Sequence, residues 1–454
     1  MTDGTMSLGG PEAAKEMRAE ADRLLDFALA SRVEHGFAWL DDSGRPTDRP
    51  LELWLTCRMT HVAALGFLSG RTEFAALVDH GVQALTTSFQ DRTHGGWFAS
   101  IEGPSGKSID DRKQAYPHAF VLLAASSAVV AGRPGAAELL ALARQVHEEH
   151  FWVASKNLVQ ESFSADWSSS EPYLGVNATM HTVEAYLALH DVTGEPHYLD
   201  RAEAMTLQVA GWARARDWRI PEHFDANGHV MPDYNRDRPA DPFRPFGATV
   251  GHGLEWSRLA LSVRASRLRL DASYNGGELV TAATELANRA VADGWAVDGA
   301  DGFVYTTDWD GTPVVRARMH WVVCEAIGAA YALGLVTGEK RWDDSLLAWW
   351  RYAQQHLIDT DAGSWHHELD EQNQVSHGTW AGKPDVYHAL QICLLVGDAL
   401  PLAPSFATAL SRREDTEYPR GHEIRASERR ISCPLSMFGV LSAKGPRDQS
   451  GRSW

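Results

Sequence analysis

The stretch ALGLVTGEKRWDDSLLAWW, residues 332–350, decides how the chain is read. An apolar helical run ends at Thr337-Gly338, and a second, amphipathic run starts two residues later. Glycine suits such a junction because it adopts the left-handed conformation of a helix C-cap without a Cβ clash. The same junction occurs in ALGFLSGRTEFAALVDHG (64–81), ASSAVVAGRPGAAELLALA (125–143) and ALHDVTGEPHYLDRAEA (188–204). The junction glycines Gly70, Gly132, Gly194 and Gly338 lie 62, 62 and 144 residues apart, the last gap being two periods. The copy that falls inside it spans 251–293, where RASRLRLDASYNGGELV joins two helices with less regular turn chemistry.

Outward from these junctions, periodicity predicts twelve helices: 12–34, 51–69, 73–89, 113–131, 135–150, 177–193, 196–215, 251–269, 276–293, 318–337, 340–357 and 383–399. Between pairs come short strand-like pieces, GGWFAS, PEHFDANGHV, DGFVYTTDWDGTP and SWHHELDEQN, two of them with hairpin turns at Asp225–Gly228 and Asp308–Gly311. The repeating unit is an inner helix, a tight turn, an outer helix and a loop or hairpin returning to the next inner helix. Six units, with the first and last helices completing one pair, describe an all-α closed ring of helix pairs with hairpins at one mouth. An open solenoid has the same repeat but would not focus its polar residues on one pocket. The ring is expected over 12–410, with 1–11 disordered and 411–454 a disordered or loosely packed tail.

Composition limits the partners. A formal charge of −18 argues against nucleic acid or an anionic membrane surface. The N-terminal MTDGTMSLGGPEAAKEMRAE lacks an apolar signal core, and no later run is expected to reach membrane-spanning length. Cys57, Cys324, Cys393 and Cys433 form no C-x-x-C pair, so a reducing, cytoplasmic setting is expected. Seventeen tryptophans, with Trp152, Trp167, Trp256, Trp309, Trp321, Trp365 and Trp380 near histidines and acids, suggest stacking on sugar rings as well as core packing.

The chemistry sits near the starts of the inner helices. Arg58 and His61 fall on the first, Tyr116 and His118 on the second, and Asn177, His181 and Glu184 on the third. The fourth, GHGLEWSRLAL (251–261), carries His252 and Glu255 three residues apart, so that Glu255 is expected to orient His252 as an acid/base group. The fifth carries Arg318, His320, Trp321 and Glu325, the sixth Asp385 and His388, and Arg244 and Trp380 lie in loops. Buried charges on apolar helices need partners, and in a ring these groups would line one cavity. No H-E-x-x-H motif and no separate two-histidine, one-carboxylate set stands out, so no metal is expected. There is no glycine-rich phosphate loop, so no nucleotide or other cofactor is expected either.

TCRMTHVAALG, NATMHTVEAYLAL, FRPFGATVGHGLEWSRLAL, ARMHWVVCEAIGAAYAL and SWHHELDEQNQVSHGTWAGKPDVYHALQ resemble the N-acylglucosamine 2-epimerase superfamily over roughly 15–405. The resemblance is greatest to its aldose–ketose isomerase branch, which includes mannose and sulfoquinovose isomerases. It implies an (α/α)6 barrel and carries function onto Arg58, Tyr116, Asn177, His181, His252, Glu255, Trp321 and His388, with the two acid/base histidines at His252 and His388. Arg244 is carried over only by its distance before GHGLEW. Glu184, His320, Trp380 and Asp385 complete the expected sugar site. The implied reaction, interconversion of mannose and fructose through an enediolate, needs neither metal nor redox cofactor. C2 epimerisation of cellobiose or an N-acylated sugar uses the same intermediate, and residue chemistry leaves the two open. Glycoside hydrolysis would need two carboxylates facing the scissile bond. Oligomeric state is left open.

Overall fold

The computed structural model describes residues 8–417. Along the chain run α1 (Gly10–Ala28), α2 (Leu53–Leu68), α3 (Ala75–Thr87), α4 (Ala115–Val130) and α5 (Ala136–Val146). Next come α6 (Val176–Thr193), α7 (Pro196–Arg214), α8 (Val250–Leu270) and α9 (Gly277–Gly294). The last are α10 (His320–Thr337), α11 (Lys340–Tyr352), α12 (Tyr387–Gly397) and α13 (Phe406–Glu417). The even-numbered helices α2 to α12 pack in sequence, and α12 meets α2, which closes the ring. Each inner helix backs onto an outer one, and α12 backs onto α1. The architecture is the (α/α)6 barrel, not the open solenoid.

Composition explains which helix lies where. In α2 every residue but Phe67 is buried, and in α4 all but Tyr116, Val129 and Val130. A helix apolar all round belongs in the centre, while amphipathic helices such as α1 and α11 cover it. This also corrects one expectation: α10 has the length and hydropathy of a membrane span, yet it is mostly buried in the ring, where that apolarity serves packing. Gly70, Gly132, Gly194 and Gly338 all have positive φ, as the junctions require. The α8–α9 connection has no glycine in that role: α8 ends on extended Asp271.

The strands do more than form hairpins. Residues immediately before five inner helices pair antiparallel with a strand of the following return segment: Leu51–Glu52 with Ser100–Ile101, Lys113–Gln114 with Ser162–Phe163, and Tyr173–Gly175 with His223–Asp225. Ala248–Thr249 pairs with Thr306–Thr307, and Arg318–Met319 with Glu368–Leu369. These ladders pin the inner-helix N-termini to one mouth. Buried ion pairs reinforce them: Lys113–Asp91 at 2.7 Å, Arg318–Asp298 at 2.6 Å and Lys383–Asp359 at 2.5 Å.

Several boundaries move. The first helix was expected over 12–34, but it starts at Gly10 and stops at Ala28, before a hairpin at Arg32–Phe37. Gly9 already donates its amide to Asp343 at 2.5 Å, so the expected disorder of 1–11 does not extend to residues 8–11. The last inner helix was expected from 383 but begins at Tyr387. Lys383 is drawn away to Asp359, and Asp385 accepts the Tyr387 amide at 3.0 Å. The tail expected from Ser411 starts inside α13, whose Ala407, Ala409 and Leu410 are buried. The remainder of that tail, Cys433 included, lies outside the described residues, while Cys57, Cys324 and Cys393 are buried free thiols.

Candidate active site

Because the ladders align the inner-helix N-termini, position along a helix becomes depth below the mouth. Tyr116, Asn177, His252, His320, Trp321 and His388 lie in first turns, and Arg58, His181, Glu255 and Glu325 about one turn lower. All of these except Glu325 line one cavity of about 710 Å³, together with Asp385 and Trp380. Eleven of the thirteen residues expected at the site therefore meet there.

The two others do not. Glu184 lies a further turn down and, with Arg258, faces a separate cavity of about 540 Å³. It supports the site from behind, 3.6 Å from His181 and accepting hydrogen bonds from Tyr387 Oη and from Gln391 at 3.1 Å. Arg244 faces a neighbouring chamber, bound to Glu171 at 2.6 and 2.9 Å, with Glu161 at 3.6 Å. Its distance before GHGLEW could not register that two glutamates hold it in that chamber.

The two histidines are set alike. His252 bonds through Nδ1 to Glu222 at 3.0 Å, and His388 through Nδ1 to Glu325 at 2.9 Å. A carboxylate on Nδ1 fixes the proton there and leaves Nε2 with a lone pair, the form a general base requires. Both rings pack against Trp321, with centroids 5.5 and 5.8 Å away. Glu255 is thus not the partner of His252. It lies 3.9 Å from both His181 Nδ1 and Arg258, and the carboxylate on His252 comes from the return segment after α7, one residue before the strand His223–Asp225. Nothing in PEHFDANG marks Glu222, at the start of a strand-like piece before a hairpin turn, as a partner for His252. Glu325 was noticed but had no assignable partner.

Charge is balanced locally. Arg58 donates to Asp385 at 3.2 Å and to Tyr116 Oη at 2.9 Å. Burial opposes its charge, but Tyr116, Asp385 and Tyr387 outweigh that and keep it firmly protonated. Burial lowers His181 to about 4 and pushes Tyr116 up to about 12, so both are neutral near pH 7. Burial, with His388 nearby, lowers His320 to about 3; its ring lies against that of His367, centroids 3.8 Å apart and tilted by 32°. Burial raises Glu325, yet Arg258 at 2.8 Å and His388 overcome this and hold it at about 2.

The rim is aromatic. Trp380 stacks on Trp39 at 5.8 Å and meets Trp54 and Phe243 edge-on at 6.3 and 5.5 Å. Of the seven tryptophans singled out, only Trp321 and Trp380 reach the cavity, while Trp256 and Trp365 are core residues. His61 and His118 are core residues too: His61 bonds to Ser127 at 2.7 Å, and His118 to the Gln114 carbonyl at 2.6 Å.

Two triplets, His181/Glu184/Glu255 and Glu255/Glu325/His388, have ligand atoms within 4.8 Å of one another. Arg258 already occupies Glu325 and approaches Glu255, which places a cation where a metal would compete.

A closed ring of six helix pairs with two carboxylate-bound histidines facing one aromatic-rimmed cavity defines a class of sugar-converting enzymes. The chain belongs to the N-acylglucosamine 2-epimerase (GlcNAc 2-epimerase) family, matching it over residues 36–392. It is 51% identical to a D-mannose isomerase of Thermobifida fusca over 87% of this chain and 96% of that one. It is 47% identical to a D-mannose isomerase of Pseudomonas cannabina pv. alisalensis, over 89% and 97%. Among solved structures, a D-mannose isomerase superposes with a TM-score of 0.78 at 27% identity, covering 85% of this chain and 98% of that one.

Proposed function

We propose that this protein is a metal-independent aldose–ketose isomerase that interconverts mannose and fructose. The observation that carries the reading is the pair of histidines, each locked through Nδ1 to a buried carboxylate and each turned toward one cavity. Transferring a proton between C2 and C1 calls for a base that can return what it takes. His388 fills that role, and His252 serves ring opening and second acid/base duty. Arg58 supplies positive charge for the developing enediolate oxygen. The D-mannose isomerases at 51% and 47% identity support this substrate class.

The charge balance favours a neutral sugar over a sulfonated one. Arg58 is matched by Asp385, and Arg244 points elsewhere and is held by Glu171. NMR of mannose incubated with the enzyme in deuterated water tests the reading. Fructose supports it, and glucose without fructose would indicate the C2 epimerase instead. Activity is expected to survive exhaustive EDTA treatment; loss restored by Mn2+ or Co2+ would overturn the metal-free part.

A further inference from the structure

The inner helices hold a second cavity behind the first. His181 on α6 and Glu255 on α8 line the front one, while Glu184 and Arg258, three residues further along the same helices, line the rear one of about 540 Å³. Three residues make nearly one turn, so a single layer of side chains separates the two. Leu187, Leu259 and Leu395 form the rear wall, with Ser262 and Ser266 among them, and the α12–α13 connection, residues 400–406, closes it. That connection is pinned: Tyr331 Oη donates to the Leu400 carbonyl at 3.1 Å, and the Ser405 amide to Asp191 at 2.7 Å.

Arg258 is the polar group that sets this cavity apart. It is 3% exposed, and its Nε donates to Glu325 at 2.8 Å. Its two terminal nitrogens donate to no described residue, and Nη2 stands 3.9 Å from Glu255. Neither nitrogen is sealed off, so their N–H groups open onto the rear cavity. Gly328 on α10 makes room for the side chain, since a Cβ there would fall 2.9 Å from Arg258 Cδ. Burial opposes the charge, but Glu325, Glu255 and Glu184 outweigh that and keep the guanidinium protonated. Buried donors without an acceptor are costly, and these face a space walled mainly by leucine and proline.

The same surroundings decide what fits. Both oxygens of Glu184 are taken, by Tyr387 and Gln391, which leaves Arg258 as the group with bonds to offer. An anion on Arg258 would meet Glu184 and Glu325, and a cation would meet Arg258 itself. A neutral acceptor oxygen avoids both, and the leucines take an apolar body. We infer that the rear cavity is a binding site for a small neutral molecule with an apolar body and one acceptor oxygen, an alcohol or a ketone, held by the terminal N–H groups of Arg258. Its occupant acts on turnover from behind. Arg258 holds Glu325, and Glu325 holds His388 through Nδ1 at 2.9 Å, so a pull on the guanidinium reaches that histidine without touching sugar. The link to turnover rests on the isomerase reading above; the binding itself does not.

Cyclohexanol is the probe, with cyclohexanecarboxylate and cyclohexylamine as charged molecules of like shape. Cyclohexanol should raise the melting temperature of the full chain, as a ligand of the folded state does. It should also lower kcat by about three- to tenfold while KM for mannose stays unchanged, a smaller effect than the roughly 10–100-fold of losing a histidine's outer partner in metal sites. The two charged molecules should do neither. Leu402→Trp, which fills the cavity from its cover, should turn over like the wild type and no longer respond. Ser262→Leu fills it from α8 and serves the same purpose should the first variant not fold. A rise in KM alone would put the probe in the front cavity and overturn the proposal. So would an undiminished response in the filled variants, an equal response to the carboxylate or the amine, or no response of the wild type. A wild-type enzyme that makes no fructose would mark failure of the isomerase reading instead, and the melting temperature would still report the rear site.

Discussion

His252 and His388 each turn one ring nitrogen to the cavity and give the other to a carboxylate, but the two carboxylates come from different kinds of place. Glu325 lies on α10, the helix beside α12, and is itself clamped by Arg258. Glu222 belongs to a return segment, and the Val176 amide that opens α6 donates to its carbonyl at 3.1 Å. One histidine is oriented by the ring itself, the other by the loops that join its units. Neither pairing follows from spacing along a helix, although His252 and Glu255 are neighbours on one face. In a closed ring, sideways neighbours compete with neighbours one turn away, and here they win.

The comparison can be broken most sharply at the histidines. His388→Ala should lose about 10²–10⁴-fold in kcat, still bind sugar, and no longer exchange the C2 proton of mannose with solvent. Wild-type exchange in that variant would move the base elsewhere, with His181 next in line. His252→Ala should lose turnover on a comparable scale but regain part of it on a substrate supplied in open-chain form. No recovery would remove ring opening from its duties.

The carboxylates should differ in what they do for the fold. Glu325→Ala strands Arg258 in the core and should lower stability by about 3–5 kcal/mol in denaturant unfolding. Glu222→Ala leaves the His252 ring without its carboxylate partner and should cost about 1–3 kcal/mol. Equal costs would erase the distinction between ring-held and loop-held partners.

The smallest effect is in the pH dependence. Glu325, depressed to about 2 in the fold, contributes stability that is present above its unfolded value of 4.5 and is lost as pH falls toward 2. Glu161, in the chamber beside the site, has the opposite sign. Burial outweighs Arg244 and raises it to about 7, so its contribution is present below 4.5 and lost as pH rises through 7. Glu161→Gln should flatten the decline of melting temperature between those values, and Glu325→Gln the decline on the acid side.

Much of this was legible in the sequence because polar residues stand out on helices that are otherwise apolar. Arg58, His181, His252 and His388 could be recognised without coordinates for that reason, and the glycine junctions gave the ring its period. Glu222 could not be, since in PEHFDANG a glutamate before a turn is indistinguishable from a solvated one; only the ladder of Tyr173–Gly175 with His223–Asp225 brings it inside. Arg244 failed for the converse reason, a loop cation whose two glutamates come from far along the chain. The second half of α13, SRREDTE, carries so many charges that it reads as tail, although the buried Ala407 and Leu410 begin a helix.

The closure of α12 onto α1 and α2 has a consequence for how the molecule is made. Helix α1 leaves the ribosome before the other helices of the ring, and its apolar face, with Met17, Ala21, Leu24 and Leu25 fully buried in the finished barrel, is covered chiefly by one of the last of them. The Arg18–Asp398 contact joins residues 380 positions apart. At about 5–20 residues per second, that face waits some tens of seconds for its cover. Contacts so distant in sequence also slow the final search. The nascent barrel therefore spends its synthesis as an open arc with one sticky edge, and its vulnerability to misassembly is greatest just before the ring shuts.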